Sequence, residues 1–485
     1  MSKVKSVIDK YKTTSVQARA SAWFVICSFF QKGISFITVP IFTRILTVNE
    51  YGITALFTTW LTLFNILATL NLSGGVYNRG LLQFEEKKYT SSIQSLATTC
   101  AIVVSAIIIA FQKKISEFTG LETRLIYLMC PYMIFVFGIN LWTVKERFHF
   151  RYKTVVVVTI VNTLVTTGLG LTAVLVSETD RGNEKVFWST VGLIVIAIPF
   201  YILNLTNGKT FFNHTMWSFS LNFNLPLLPH YLSNLLLAQS DRVMINMICG
   251  TADVALYSVA FSIASITRIL TDAITASLVP WRYQALDKRE YRQINRVSLY
   301  MLMLVGGIVG LINLFAPEVL YIFGDRQYRE AVWCIPPVML STYFVFAYGM
   351  FSNVEFYFLK TKFMMVASVG SAGLNIVLNY IFIGKYGYVA CAYTSLACYV
   401  IYCASHYFYM MHICRKEIPG IRIYNMRVFV IITLATIGLT ILSTLLYQNY
   451  LVRYVILSCA AVICFAFRKS IIRTISMLKH IKGNN

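Results

Sequence analysis

The chain has 485 residues, of which 57% are hydrophobic and only 13% are charged. A soluble protein of this length would form two or three domains, and too little polar sequence is present here to cover their surfaces. The formal net charge of +22 does not indicate nucleic-acid binding, because the basic residues lie in short connections between apolar runs. The composition therefore predicts one all-α polytopic membrane domain.

Fourteen apolar runs follow one another along the chain, and each is long enough to cross a membrane. A hydrocarbon core about 30 Å thick needs roughly 20 apolar residues in a helix. The predicted spans are 21–46, 52–78, 92–111, 122–144, 152–176, 187–206, 225–248, 252–280, 297–316, 330–353, 362–383, 387–412, 426–446 and 451–467.

The charges outside these spans are divided unequally between the two membrane faces. The two tails and the even-numbered connections carry 29 of the 42 Lys and Arg residues, whereas the odd-numbered connections carry 11. With acidic residues included, the first face is strongly basic and the second is neutral; we call them the basic side and the neutral side. The positive-inside rule predicts that the basic side, with both termini, is cytoplasmic.

The span positions repeat after about 206 residues, so spans one to six correspond to spans seven to twelve. Because each half has six spans, both halves have the same orientation, and substrate sites in such transporters lie where the halves meet. The predicted units are a basic tail (1–20), an N-lobe (21–206), a linker (207–224), a C-lobe (225–412), spans thirteen and fourteen (413–467) and a second tail (468–485).

We single out three charges that lie inside otherwise apolar, membrane-length segments: Lys32, Arg268 and Asp272. Ionisable residues at such depths face a partner or a water-filled cavity. Lys32 lies roughly 16 Å into span one, near mid-membrane, and no acidic residue in that span can pair with it. We therefore expect Lys32 to face a cavity and to bind an anionic substrate.

Arg268 and Asp272 lie four residues apart in span eight, on one face of a helix. Two interpretations remain open. The pair neutralises itself, or Arg268 joins Lys32 in a cationic cavity while Asp272 releases it or carries a proton.

Four further charges lie at span ends. Arg44, Arg79 and Arg242 close spans one, two and seven; each alone suits an interfacial cation, and together they would extend a basic cavity lining. Glu355 ends span ten and is predicted to be either an exposed charge or a proton-carrying site.

Patterns typical of enzymes are absent from the sequence. Gly208-Lys209-Thr210 resembles the end of a phosphate-binding loop but lacks the upstream glycine. There is no nucleophile elbow, no H-E-x-x-H and no C-x-x-C pair. The sequence therefore predicts a transporter without catalytic residues, metal site or cofactor.

Residues 31–80, which read QKGISFITVPIFTRILTVNEYGITALFTTWLTLFNILATLNLSGGVYNRG, resemble the opening of the bacterial polysaccharide transporters, the Wzx-type flippases of lipid-linked oligosaccharides. The shared features are the Lys32-Gly33 pair, Pro40, the stretch 43–46 and Glu50-Tyr51-Gly52. Residues 226–260 resemble the start of the second half in the same family.

The resemblance implies two lobes related to those of multidrug and toxin extruders, with a central cavity and alternating access. It implies a substrate of undecaprenyl-diphosphate oligosaccharide, such as an O-antigen or lipopolysaccharide repeat unit, moved across the bacterial inner membrane. The implied partners are membrane lipids, a polysaccharide polymerase and a chain-length regulator. From the family we carry over only a basic lining, onto Lys32 and Arg268.

Three other functions stay open at this point. A lipid-linked peptidoglycan precursor flippase shares the span count and the cationic cavity. A cation-coupled multidrug antiporter would favour acidic cavity residues, because its drugs are cationic. A membrane polymerase or ligase would usually carry a large periplasmic loop, whereas the longest candidates here, 177–186 and 317–330, are short.

Overall fold

A computed structural model describes residues 16–360, 362–456 and 458, and every regular element in this part of the chain is helical. The first half contains α1 (Val16–Ile45), α2 (Val48–Thr69), α3 (Gly75–Gln83), α4 (Glu86–Ala110), α5 (Gln112–Thr119), α6 (Thr123–Phe148), α7 (Tyr152–Val176) and α8 (Arg181–Gly208). The connection between halves contains α9 (His214–Asn224) and a 3-10 turn (Leu225–Leu227).

The second half continues with α10 to α17 and one longer 3-10 segment. Their bounds are α10 (Leu228–Ile248), α11 (Thr251–Asp287), α12 (Tyr291–Leu314), α13 (Ala316–Phe323), the 3-10 segment (Arg326–Cys334), α14 (Ile335–Tyr357), α15 (Lys362–Tyr386), α16 (Val389–Glu417) and α17 (Met426–Leu445).

The predicted all-α polytopic fold is confirmed. Within the described residues, twelve helices are long and apolar enough to cross a membrane. The predicted span 225–248 forms α10, which is long enough but carries buried polar side chains such as Asp241 and Arg242. The fourteenth span, 451–467, lies largely outside the described residues, as do the tail 468–485 and most of the tail 1–20.

Several boundaries differ from the sequence prediction. Span two was expected over 52–78, but α2 ends at Thr69 because Leu70 and Asn71 adopt left-handed backbone conformations (φ 49° and 52°). The segment 207–224 was expected to be a linker, but most of it is the helix α9, capped by the side chain of Asn213.

Two large apolar cores are present, and the one in the second half also includes residues of the first half, such as Phe42 and Tyr51. In the first half, α4, α6, α7 and α8 pack together, and their buried side chains include Leu125 and Met129. In the second half, α11, α14 and α16 enclose a core that includes Ile335 and Phe351. Between the halves, the most extensive packing is that of α2 against α11. The seam between the two lobes therefore runs along these two helices.

The motif Glu50-Tyr51-Gly52 lies near the start of α2 at this seam, and Glu50 and Gly52 have separate structural roles. The Glu50 carboxylate accepts a hydrogen bond from the Thr47 amide (2.8 Å), and the Thr47 hydroxyl accepts one from the Glu50 amide, which forms a capping box. Gly52 allows a close approach, since a Cβ atom there would lie 2.0 Å from the carbonyl oxygen of Thr251. The chain is thus closely packed where α2 meets the start of α11.

Candidate functional site

A polar cavity of about 600 Å³ lies on the seam, towards the neutral side. Helices α1, α2, α6, α7 and α8 line it from the first half, and α10 and α11 line it from the second. A volume of this size is typical of small-molecule sites. The cavity is therefore shared between the lobes that the seam separates.

Hydroxyl and amide side chains form most of the polar lining. They belong to Ser35, Tyr51, Thr54, Thr58, Thr59, Tyr132, Asn162, Thr166, Ser189, Thr190, Gln239, Ser258 and Ser262. Two lining residues are cationic, Lys185 and Arg242, and none of the described lining residues is acidic. The cavity can therefore offer hydrogen bonds to sugar hydroxyls and positive charge to an anion.

Lys185 reaches this cavity from the first turn of α8. Its ammonium group lies 4.0 Å from the ring centroid of Phe42 and 5.6 Å from that of Tyr51. Cation–π contacts of this kind stabilise a partly desolvated ammonium without neutralising its charge. Lys185 therefore presents its ammonium group to the cavity beside aromatic rings, and it forms no ion pair with a described carboxylate.

Arg242 lies opposite on α10 and is 7% exposed. Its Nε donates to the hydroxyl of Ser258 (3.0 Å), and its Nη1 donates to the side-chain oxygen of Gln239 (2.8 Å). The guanidinium also lies over the ring of Phe261, 4.5 Å from its centroid. These neutral contacts orient Arg242, which forms no ion pair with a described residue, although the charge of the neighbouring Asp241 carboxylate acts on it.

A polar stripe on α11 leads from the cavity towards the basic side. Ser258, Ser262, Ser265, Arg268 and Asp272 recur at intervals of three or four residues, so they lie on one face of the helix. Ser258 and Ser262 line the large cavity, and Arg268 lines a small adjacent one. The stripe places polar side chains on successive turns of α11 along the seam.

At the far end of this stripe, Lys32 pairs with Asp272 across the seam. Lys32 Nζ lies 3.7 Å from a carboxylate oxygen of Asp272, and their side chains are 44% and 60% exposed. The pair is therefore accessible. Among the described residues Asp272 forms its ion pair with Lys32 and none with Arg268, although the i, i+4 spacing would permit the latter.

The other predicted arginines do not converge with Arg242. Arg44 is exposed at the end of α1, where its guanidinium donates to the carbonyls of Pro40 (2.8 Å) and Tyr321 (3.4 Å). Arg79 is exposed on the short helix α3. The expectation that Arg44, Arg79 and Arg242 extend one basic lining is not reproduced, because α2 ends before Arg79 and Arg44 turns towards α13.

A second buried charge, Asp241, was not singled out in the sequence. It is 3% exposed and accepts hydrogen bonds from the Tyr257 hydroxyl, from Asn379 Nδ2 (2.8 Å) and from the Ser395 hydroxyl (2.8 Å). These donors come from α11, α15 and α16, respectively. The carboxylate therefore ties α10 to three neighbouring helices of the second half.

Glu355 is neither exposed nor close to the cavity. It is fully buried near the end of α14, where its Oε1 lies 2.8 Å from Nδ1 of His406 on α16. The expectation of an exposed charge is therefore wrong, because α16 and its aromatic side chains cover this end of α14.

A sequence model of the family described as "Polysaccharide biosynthesis protein" matches residues 18–286, more than half of the chain. The chain belongs to this family. A model described as "MatE" matches residues 226–381, which cover the start of the second half. The predicted family is confirmed.

Two curated proteins of different organisms are similar to this chain. A protein of the Lsg locus of Haemophilus influenzae is 24% identical over 370 residues, covering 72% of this chain and 87% of that protein. A protein of Haloferax volcanii named probable low-salt glycan biosynthesis flippase Agl15 is 20% identical over 414 residues, covering 81% and 83%.

Solved structures show the same fold. The lipid II flippase MurJ in an inward closed conformation superposes with a TM-score of 0.70 at 15% identity, covering 92% of this chain and 99% of that chain. An inward-facing multidrug resistance MATE family transporter of the MOP superfamily superposes with a TM-score of 0.60 at 13% identity, covering 83% and 100%. The chain thus has the fold of these multi-pass transporters.

Sequence reasoning missed Lys185, Asp241 and His406. Lys185 lies only a few residues into α8. It precedes the predicted span 187–206 and was therefore assigned to the connection 177–186. Asp241 directly precedes Arg242 in a predicted span, and it could have been noticed as a further charge inside the membrane. For His406 the sequence held no signal, because its partner Glu355 is 51 residues away.

Proposed function

We propose that this protein is a flippase that moves undecaprenyl-diphosphate-linked oligosaccharide repeat units from the cytoplasmic to the periplasmic leaflet of the bacterial inner membrane. In this proposal both termini and the basic side are cytoplasmic, and the two lobes alternate in opening to either side. A polysaccharide polymerase and a chain-length regulator would use the exported units.

The observation that supports this proposal is the composition of the seam cavity. Hydroxyl and amide groups suit a glycan, while Lys185 and Arg242 suit the diphosphate that links it to the lipid. Among the described lining residues no carboxylate is present to attract a cationic drug. The composition therefore favours an anionic glycolipid over the substrate of a multidrug antiporter.

The charged residues would act in sequence along the seam. Lys32 and Arg268, on the basic side of the cavity, would receive the diphosphate from the cytoplasmic leaflet, with Asp272 holding Lys32 until the substrate arrives. Arg242 and Lys185 would hold it next, closer to the neutral side. The names of the Haloferax flippase and of MurJ are consistent with cargo of this class.

Complementation of a strain that lacks its own O-antigen-type flippase tests the proposal. We expect wild type to restore surface polysaccharide, and Lys185→Gln, Arg242→Gln, Lys32→Ala and Arg268→Ala each to reduce it at equal membrane levels. Arg79→Gln and Lys385→Gln are the matched controls, since both remove an exposed cation outside the cavity. Full polysaccharide in both Lys185→Gln and Arg242→Gln would refute the cavity as the substrate site.

A binding measurement separates substrate recognition from glycan identity. Inorganic pyrophosphate is the probe, and the purified full chain in nanodiscs is the receptor. Losing one charge contact should weaken binding about tenfold in Lys185→Gln and in Arg242→Gln. Equal affinity in wild type and both variants would contradict the proposal.

A further inference from the structure

An acid–base pair is buried in the second half, away from the seam cavity. Glu355 on α14 and His406 on α16 are both 0% exposed, and the distance from Oε1 to Nδ1 is 2.8 Å. Glu355 lies two residues before the end of α14, on the basic side of the protein. Two titratable groups are thus enclosed where the membrane-spanning part of α14 ends.

Aromatic rings enclose the imidazole of His406. The ring of Tyr348 stacks on it at a centroid distance of 5.6 Å, and Tyr402 and Phe363 approach it edge-on at 4.5 Å and 5.8 Å. These rings cover the imidazole on several sides and contribute no charged group. The pair is therefore enclosed mainly by aromatic side chains.

The pair retains unused hydrogen-bonding capacity. None of the described residues provides a partner for Oε2 of Glu355 or for Nε2 of His406, although both atoms are buried. Leaving such atoms unpaired costs free energy, and most buried polar atoms in proteins have partners. Each of these two atoms can therefore make a further hydrogen bond, so the pair has unused polar capacity inside the protein.

The charges that face the pair come from several helices. Tyr348 of α14 and Tyr402 of α16 contact His406, and His230 of α10 interacts with it electrostatically. From α11, the charges of Arg268 and Asp272 act on Tyr348. Within the described residues, α12, α17 and the 3-10 segment donate no hydrogen bond and form no ion pair with either member.

We propose that Glu355 and His406 form a proton-binding site that couples proton movement to substrate transport. In the enclosed state the pair holds one shared proton, so that its total charge is zero, as burial requires. Deprotonation breaks the N–H bond, releases the proton to water on the basic side and leaves a neutral imidazole beside a carboxylate. This net negative charge cannot remain buried at low cost, so α14 and α16 must separate or admit water.

Tyr348 links this event to the seam. Its ring contacts His406 on one side, and its hydroxyl lies in the field of Arg268 and Asp272 on the other. Movement of α14 relative to α16 would therefore displace Tyr348. The electrostatic potential around Arg268 and Asp272 would then change. The proposal that protons bind is argued from the Glu355–His406 pair alone. The proposal that this binding is coupled to transport rests on the proposed flippase function.

Infrared difference spectroscopy reads the protonation directly. The full-length protein in nanodiscs would be compared at pH about 8 and about 5, an interval that includes histidine titration. We expect carboxyl and imidazole bands that disappear in Glu355→Gln and in His406→Gln. The control variants Glu417→Gln and His412→Gln remove exposed groups on α16 and should keep those bands. Spectra of both pair variants identical to wild type would overturn the proposal.

A second readout tests the coupling in the complementation strain. A proton uncoupler should lower wild-type surface polysaccharide, whereas Glu355→Gln should start lower and respond less to the uncoupler, with pyrophosphate affinity within about twofold of wild type. Full uncoupler sensitivity in Glu355→Gln and in His406→Gln would overturn the coupling and leave the flippase proposal intact. Full surface polysaccharide in both Lys185→Gln and Arg242→Gln would refute the flippase proposal. The infrared bands would still test the proton site in that case.

Discussion

Lys32 and Asp272 form an ion pair between the two halves of the chain, with 3.7 Å between the ammonium nitrogen and the carboxylate oxygen. Lys32 belongs to α1 and Asp272 to α11, 240 positions later in the sequence. Because both side chains are substantially exposed, the pair contributes little to stability. Its position on the seam makes it a reversible contact that an anion could replace.

Removing Asp272 should strengthen anion binding, whereas removing Lys32 should weaken it. In Asp272→Asn the lysine loses its competing partner, so affinity for inorganic pyrophosphate should rise about fivefold, which corresponds to about 1 kcal/mol. In Lys32→Gln it should fall by a similar factor. Asp287→Asn, at the exposed end of the same helix, is the control. Unchanged affinity in Asp272→Asn would show that Lys32 does not meet the anion.

Gly52 should not tolerate a side chain, because α2 packs closely against the start of α11 at this position. A Cβ atom there would lie 2.0 Å from the backbone oxygen of Thr251, and such overpacking typically costs about 1–3 kcal/mol. Gly52→Ala should therefore lower the thermal midpoint and reduce polysaccharide export. Gly33→Ala is the matched control because a Cβ at that helical position meets nothing within 4 Å. Equal midpoints for both variants would contradict this packing.

Asp241 should matter for the integrity of the second half. Asp241→Ala leaves the donors of Tyr257, Asn379 and Ser395 without their acceptor. Hydrogen bonds between membrane helices contribute about 0.6 kcal/mol each, so the variant should lose about 2 kcal/mol of stability. Asp253→Ala, in the first turn of α11, removes a less buried carboxylate and is the comparison. The measurement is thermal unfolding in nanodiscs, and an unchanged midpoint in Asp241→Ala would count against this role.

Glu318 should make stability depend on pH at the neutral side. Burial opposes its ionisation, but a hydrogen bond and the charge of Arg453 outweigh burial and hold the pKa of Glu318 below its usual value of 4.5. The Arg453 guanidinium donates to Glu318 (2.7 Å) and to the carbonyl of Leu314 (2.9 Å). Because the folded-state pKa is the lower one, this stabilisation is complete above 4.5 and is lost as pH falls below it.

The test compares thermal midpoints above and below that value. Wild type should lose more stability on acidification than Glu318→Gln, which lacks the titrating group. Glu330→Gln removes an exposed carboxylate in the neighbouring 3-10 segment and should behave like wild type. The same acid sensitivity in wild type and Glu318→Gln would mean that the pair with Arg453 does not contribute.

The hydropathy pattern and the charge distribution predicted most of the architecture, because both are local properties of the chain. A spanning helix satisfies its own backbone hydrogen bonds, so about twenty apolar residues are enough to indicate it. The described spans and the family membership agree with this prediction. The motif at Glu50 was recognised by resemblance, and its capping box and the close contact at Gly52 supplied the physical reason.

The site was less predictable because its contacts join distant parts of the chain. Lys32 was expected to have no acidic partner, since only its own span was considered, yet Asp272 reaches it from the other half. Spacing within a helix allowed Arg268 to pair with Asp272, but the neighbouring helix decided otherwise. Lys185 was assigned to a connection because a sequence pattern cannot show how deeply a terminal helical turn is covered.

Hydrophobicity and charge along the chain were thus enough to predict the class of protein and its approximate spans, whereas the repeat and the basic face stay predictions. Only the tertiary structure decided that Lys32 pairs with Asp272, that Lys185 and Arg242 share one cavity, and that Glu355 is enclosed with His406. Each of these pairings depends on which helices become neighbours and how they are rotated. Side-chain packing across the bundle sets that arrangement, and hydropathy alone leaves it undetermined.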